Sequence, residues 1–360
     1  MITVRTPRAD ALDATQLPDL IRLQSGATAA CFALMKLLPA RHMIDLAVAD
    51  GDLVPGRTRV METTSGTFGL GLAMVCALRG LDLTLVTDPV VDVPFRNKLE
   101  ALGATVDVVS SPAAHGGYQQ ARLDRLTELA AAEDCSWVPR QYDNGNNPDA
   151  YAPVAELLLE SLGKIDFLVG CVGSGGSMCG IAGVLRSVLP DLVAIGVDTH
   201  GSVLFGMPDR PRLLRGLGNS LLPPNVDHTI FDEVHWVNAA EAFGATRQLF
   251  RREALFRGPT SGAAHLVADW VQRRHPNATV AVVMADEGSR YLDTVYNLSW
   301  LSEQGCLPAA LPDSPITVTE PVAALAAGSW SRFDWNRRGY RDLVPDAESV
   351  PVEEVTVDAA

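Results

Sequence analysis

Two loops of small residues constrain this chain more than anything else in it. Glu62-Thr63-Thr64-Ser65-Gly66-Thr67-Phe68-Gly69 follows a short strand pattern at 58–61 and runs into an apolar helix pattern at 70–78. Gly170-Cys171-Val172-Gly173-Ser174-Gly175-Gly176-Ser177-Met178-Cys179-Gly180 follows a strand pattern at 166–169 and opens a helix that reaches 189. Around them, apolar runs at 81–87, 105–109, 193–198 and 279–284 alternate with helical periodicities. One of these helices carries Phe95, Leu99 and Leu102 on its inner stripe and stops at Gly103. Such alternation predicts parallel strands joined by crossover helices. At 360 residues the chain exceeds one ordinary core, so the expected class is α/β with two lobes, each a mainly parallel sheet flanked by helices.

A strand, a small-residue loop and a helix start gather unpaired backbone N–H groups and the positive helix end at one point, which suits an anion. The first loop also fits a plain strand-to-helix turn. In the second, Gly173, Gly175 and Gly176 let the backbone approach an anion closely, and Ser174 and Ser177 add hydroxyl donors. That stretch can also be read as a dinucleotide site, with Asp198 at the distance of a ribose-binding acid. However, Met178 stands where the third glycine of the fingerprint belongs.

Lysine occurs three times in the chain, against 26 arginines. Lys98 sits among Arg96, Asn97 and Glu100, and Lys164 follows a helix-ending Gly163; both read as solvated. Lys36 is different, because Cys31-Phe32-Ala33-Leu34-Met35 precedes it and Leu37-Leu38-Pro39-Ala40 follows. An ammonium in apolar surroundings either snorkels to water or holds a depressed pKa and serves as a nucleophile. Gln141 and Tyr142 open a polar, turn-rich stretch through Pro148 that reads as a cleft loop between lobes.

With 43 acidic against 29 basic residues the net charge is −14, which argues against nucleic acid and anionic membranes as partners. The six cysteines form no Cys-x-x-Cys pair and the seven histidines are dispersed, so no metal site is expected. Residues 1–10 lack the apolar stretch of a signal peptide, and reduced thiols in apolar contexts suit a cytoplasmic enzyme. Beyond Leu301 the periodicity lapses, and 301–360 reads as a partly ordered C-terminal extension holding Trp330, Phe333, Trp335 and Tyr340.

Taken together these pieces resemble the cysteine-synthase family of pyridoxal-phosphate (PLP) enzymes, with the tryptophan-synthase-β type of fold. The family's Thr-Ser-Gly-Asn-x-Gly loop is similar to Thr64-Ser65-Gly66-Thr67-Phe68-Gly69. Its glycine-rich phosphate cup is similar to Gly173 through Gly180, and its Gly-x-Ser-Ser-Gly-Ala-Ala motif to Gly258-Pro259-Thr260-Ser261-Gly262-Ala263-Ala264. Spaced back from Met43-Ile44 and the Pro55-Gly56 turn, the family's Schiff-base lysine falls on Lys36. The chain departs from the family in carrying Thr67 for the loop asparagine and Leu37-Leu38 for the Asp-Arg that usually follows the lysine.

The resemblance implies fold type II, with a smaller mobile domain at 37–148 and a larger cofactor-binding domain of 1–36 plus 149–300. It implies PLP on Lys36, which also moves the substrate α-proton, with the cofactor phosphate in Gly173, Ser174, Gly175, Gly176 and Ser177. Thr67 falls toward the 3′-oxygen, and Thr260, with Ser261 beside it, toward the pyridine nitrogen. Thr63, Thr64, Ser65 and Gly66 would hold the substrate α-carboxylate, with Gln141, Tyr142 and Gly216 nearby. Arg122 is a candidate for a second anion, and reads equally well as an exposed helix arginine.

Within the family the likeness is greatest to enzymes opening 2,3-diaminopropionate pathways, through Ala114-His115-Gly116-Gly117-Tyr118, Gly201-Ser202-Val203, Gly216-Leu217-Gly218 and Arg290-Tyr291-Leu292-Asp293. It implies β-replacement on O-phospho-L-serine with L-glutamate as nucleophile, in a homodimer. A sulfide-using cysteine synthase, a β-eliminating lyase, an NAD-binding oxidoreductase and a PLP-less binding protein are the alternatives.

Overall fold

A computed structural model describes residues 7–64, 66–307 and 310–344. Among these residues twelve strands form two sheets. The smaller contains β3 (Arg59–Thr63), β4 (Leu83–Thr87), β5 (Thr105–Val108) and β6 (Ser136–Trp137) in the order β5-β4-β3-β6, all parallel. The larger contains β1 (Asp19–Arg22), β2 (Thr28–Cys31), β7 (Phe167–Cys171), β8 (Val193–Asp198), β9 (Glu233–Trp236), β10 (Val280–Met284), β11 (Ile316–Thr317) and β12 (Ser331–Asp334). Its order is β1-β2-β10-β7-β8-β9-β12-β11, parallel from β2 to β9. The α/β class and the parallel pattern follow the sequence reading, because the crossovers β3 to β4, β4 to β5, β5 to β6, β7 to β8 and β9 to β10 run through helices, while β8 reaches β9 by an irregular segment with one short turn at His228–Ile230.

Three cores result. One packs helix Leu37–Asp50 and helix Thr67–Arg79 on the small sheet through Leu37, Met43, Ile44, Phe68, Leu72 and Leu85. The other two lie on the opposite faces of the large sheet. Helix 67–79 approaches closely enough that a Cβ on Gly71 would stand 2.8 Å from the Lys36 carbonyl oxygen. The glycine therefore sets how tightly the lysine-bearing turn seats on the small lobe.

The C-terminal extension expected to be partly ordered belongs to the large sheet as far as Val344. β12 runs antiparallel to β9, pairing Ser331 with Trp236 and Asp334 with Glu233. Trp330 and Trp335 are fully buried. The Trp330 indole donates to His235 Nδ1 at 3.0 Å, its backbone N–H donates to Glu241 Oε1 at 2.8 Å, and Tyr340 donates to the Val203 carbonyl at 3.1 Å. The irregular spacing seen in sequence comes from short elements, four residues for β12 and two for β11, too brief to show a period.

Candidate active site

Where the carboxyl ends of both sheets face each other lies a cavity of about 590 Å³. Lys36 enters it from the turn between β2 and helix Leu37–Asp50, as the residue just before that helix. Its backbone is pinned through the neighbouring Met35 N–H, which donates to the Ala285 carbonyl at 2.8 Å. The Lys36 amine donates to Ser174 Oγ at 2.8 Å, and burial lowers its pKa to about 8. A larger neutral fraction makes it a better nucleophile at neutral pH than a surface lysine. Lys98 and Lys164 are exposed, the latter paired with Asp166 at 2.6 Å.

Ser174 belongs to a cup formed by Gly173, Ser174, Gly175 and Ser177 at the start of helix Gly176–Val188. Gly175 has φ +89°, and a Cβ there would lie 2.3 Å from the Asn225 carbonyl oxygen. Only glycine allows this path, and the path turns successive N–H groups toward one point. Asn147 reaches in behind: its Nδ2 donates to the Gln141 carbonyl at 2.6 Å and to Ser174 Oγ at 3.4 Å. Gly176 lies just behind the wall, with no room for a Cβ before Asn147 Oδ1 at 2.2 Å.

On the far side Thr260 lines the cavity, and its buried Oγ1 has no protein partner. Ser261 is fully buried and off the wall, its Oγ likewise unpartnered. Across from them, Thr64 Oγ1 accepts from the Gly66 and Gly69 N–H groups at 3.0 and 3.1 Å, curling the loop at the start of helix Thr67–Arg79. Thr64, Gly66 and Thr67 face the cavity. Thr63 does not; as the last residue of β3 it is buried, and its carbonyl accepts from Gln141 Nε2 at 3.1 Å. Ser65 lies outside the described residues.

Gln141, Tyr142, Gly216 and Arg122 complete the set anticipated from sequence, and all four line the cavity. Arg122 is 4% exposed, which excludes the surface-arginine reading, and its Nε stands 3.4 Å from Asp88 Oδ2. Its Nε and Nη1 have no hydrogen-bond partner. Burial pushes the Tyr142 phenol up, and the Arg122 guanidinium opposes that shift.

Sequence reasoning missed Asp88, Asp286, Arg212, Arg215 and Arg290 on the same wall. Asp286 Oδ2 accepts from the Tyr291 hydroxyl at 2.7 Å, and burial raises its pKa. The signal was there for Arg215, which adjoins the flagged Gly216, and for Arg290, which opens the Arg290-Tyr291-Leu292-Asp293 stretch.

The dinucleotide reading does not survive the geometry. Asp198 is fully buried, accepts from the Thr199 N–H at 2.8 Å and is absent from the cavity wall. Met178 is buried against Gly170, where a Cβ would stand 2.5 Å from its sulfur. No group of His, Cys, Asp or Glu that could hold a metal occurs among the described residues. No helix among them is long and apolar enough to cross a membrane.

The donor set suits pyridoxal phosphate. An amine of lowered pKa, an N–H and hydroxyl cup without a cation, and an unpartnered buried hydroxyl on the same cavity wall are what its aldehyde, phosphate and ring nitrogen require. Comparison with known proteins agrees. A family profile described as pyridoxal-phosphate dependent enzyme matches residues 35–286, and the chain belongs to that family. It is a PLP-dependent enzyme of the cysteine-synthase-like, β-replacing type.

Two characterised relatives share its length. One from Cupriavidus metallidurans is 34% identical over 86% of this chain and 96% of that protein. One from Ralstonia nicotianae is 33% identical over 87% and 98%. Both are named N-(2-amino-2-carboxyethyl)-L-glutamate synthase. Among solved structures, a hydrogen sulfide-producing enzyme from Fusobacterium nucleatum superposes with a TM-score of 0.74 at 27% identity, covering 79% of this chain and all of that one. An O-acetylserine dependent cystathionine beta-synthase from Helicobacter pylori gives 0.73 at 25% identity, over 82% of this chain and all of that one.

Proposed function

We propose that the enzyme joins O-phospho-L-serine to L-glutamate with release of phosphate, giving N-(2-amino-2-carboxyethyl)-L-glutamate. The observation that carries this reading is the buried Arg122 on the wall of a lysine-anchored cavity, with two guanidinium N–H groups unpartnered and Asp88 at 3.4 Å. A buried guanidinium that retains free donors suits a dianionic leaving group better than acetate or a thiol. The names of the two relatives supply the product.

The residues divide the work as follows. Lys36 anchors the cofactor and moves the substrate α-proton, with Ser174 Oγ orienting the amine. Gly173, Ser174, Gly175, Gly176 and Ser177 would hold the cofactor phosphate, and Thr67 would serve its ring 3′-oxygen. Thr260, with Ser261 beside it, would offer the ring nitrogen a neutral hydroxyl. Bound pyridoxal phosphate supplies the electron sink for charge developing at the substrate α-carbon. Thr64 and Gly66, with Gln141, would hold the α-carboxylate, while Arg122 and Tyr142 would receive the departing phosphate. Gly216 leaves backbone room opposite Gly173, whose Cβ would stand 3.3 Å from the Gly216 carbonyl oxygen.

We place the enzyme in the cytoplasm, because all six cysteines are unpaired thiols, and as a homodimer whose 37–148 domain moves against the rest. The decisive experiment incubates the purified holoenzyme with O-phospho-L-serine and, separately, glutamate or sulfide. Phosphate release followed by a product mass matching serine joined to glutamate supports the reading. Cysteine formed from sulfide, with no glutamate adduct, overturns it.

A further inference from the structure

We infer that Arg215 binds the side-chain carboxylate of the acidic amino acid that serves as nucleophile, and so sets the preference for glutamate over uncharged amino acids. The inference rests on the reading just given and assigns a residue to its second substrate.

The starting observation is a charge imbalance. In a chain of net charge −14, five arginines line one cavity against three carboxylates. The cofactor cup uses none of them, since it consists of glycines and serines. Arg122 is offset by Asp88. Arg212 is tied down by Asp209 at 2.8 Å and by Ser220 Oγ at 2.7 Å. Arg290 stacks over Phe95 at 4.1 Å and abuts Gly66, where a Cβ would meet its Nη1 at 2.8 Å. Arg215 forms no hydrogen bond or ion pair among the described residues, yet it lines the cavity beside Gly216. Burial and the like charges of Arg212, Arg122 and Arg290 lower its pKa, while Asp88 opposes them.

A guanidinium that shares a cavity wall with other arginines and has no carboxylate of its own adds to a positive local potential that attracts an anion. The first substrate already has its anions provided for, the α-carboxylate at the loop of Thr64 and Gly66 and the phosphate at Arg122. What is left over at the same cavity is positive charge on Arg215, beside Gly216, and on the exposed Arg210, which a sulfide or neutral nucleophile would not need. A dicarboxylic amino acid meets it with a fork-to-carboxylate pair while its amine points at the reacting carbon.

Arg215 lies on a loop and is exposed, so its replacement leaves the cores intact. The test compares wild-type holoenzyme with Arg215→Gln and Arg215→Lys at saturating O-phospho-L-serine, measuring kcat and KM for L-glutamate and L-glutamine by product mass. The expected result is a glutamate KM raised roughly tenfold to a hundredfold in R215Q, as for loss of a charge-assisted pair, with partial recovery in R215K. The wild-type preference for glutamate over glutamine should collapse in R215Q. An unchanged glutamate KM and preference in R215Q, with the wild type making the glutamate product, would overturn this inference alone. A rise in the O-phospho-L-serine KM instead would move Arg215 to the leaving group and overturn it too. A wild-type enzyme that releases phosphate but forms no glutamate product overturns the proposed function and this inference with it.

Discussion

The amine of Lys36 and the hydroxyl of Ser174 meet at 2.8 Å across 138 residues of sequence. That contact ties the lysine-bearing turn to the glycine cup, and Asn147 continues it at 3.4 Å to the Gln141 loop. Three segments therefore share one hydrogen-bonded chain.

Removing Ser174 should loosen this chain without unfolding either sheet. Ser174→Ala loses one hydrogen bond of about 1 kcal/mol, so cofactor affinity should fall roughly fivefold to tenfold. Titration of apoenzyme with pyridoxal phosphate, followed by visible absorbance, measures it. Equal affinity in S174A and wild type would show that Ser174 does not orient the anchor.

Lys36 should reveal itself chemically and through pH. Borohydride reduction of the holoenzyme should place a pyridoxyl mass on the peptide holding Lys36, and Lys36→Ala should abolish that label. In the apoenzyme the folded pKa of about 8 lies below the ordinary 10.5, so the unfolded state binds more protons between those values. Stability should therefore rise with pH from about 8 to 10.5, and denaturant titrations of Lys36→Met should lack that component. Identical pH dependence in the two proteins would place the lysine in water.

Gly175→Ala tests the cup. The backbone φ of +89° and the Asn225 carbonyl 2.3 Å from the new Cβ leave no relaxed position. A loss of more than about 2 kcal/mol is expected, together with weaker cofactor binding. Thermal unfolding of the apoenzyme and the same absorbance titration separate the two effects.

The tail should prove structural. Trp330→Ala removes a fully buried indole and its bond to His235, so a loss of about 3–5 kcal/mol is expected. Equilibrium denaturation of W330A reads this directly. A change under about 1 kcal/mol would mean that β12 is not part of the cooperative unit.

Much of the site was legible because its parts are local. An apolar frame around Lys36, a run of glycines and serines before a helix, and hydroxyls at the start of helix Pro259–Arg274 each lie within about ten residues, where backbone chemistry is readable. The helix of Arg122 could be found, but not its side chain's surroundings: Asp88, which pairs with it, follows β4 of the small sheet. Thr63 and Ser261 show the opposite error, since proximity in a motif does not decide which side chain of a strand or helix faces the cavity.

Sequence alone determined the class of fold and singled out Lys36 and the glycine–serine loop as candidates, because strand and helix periods and glycine conformational freedom are properties of short segments. Tertiary structure decided the rest. It inserted β12 between β9 and β11 at the end of the large sheet, buried Trp330 and Trp335, and drew Arg122, Arg215 and Arg290 to one cavity wall. Strand order and the convergence of distant loops are fixed by which apolar faces pack together, and no local stretch of the chain contains that information.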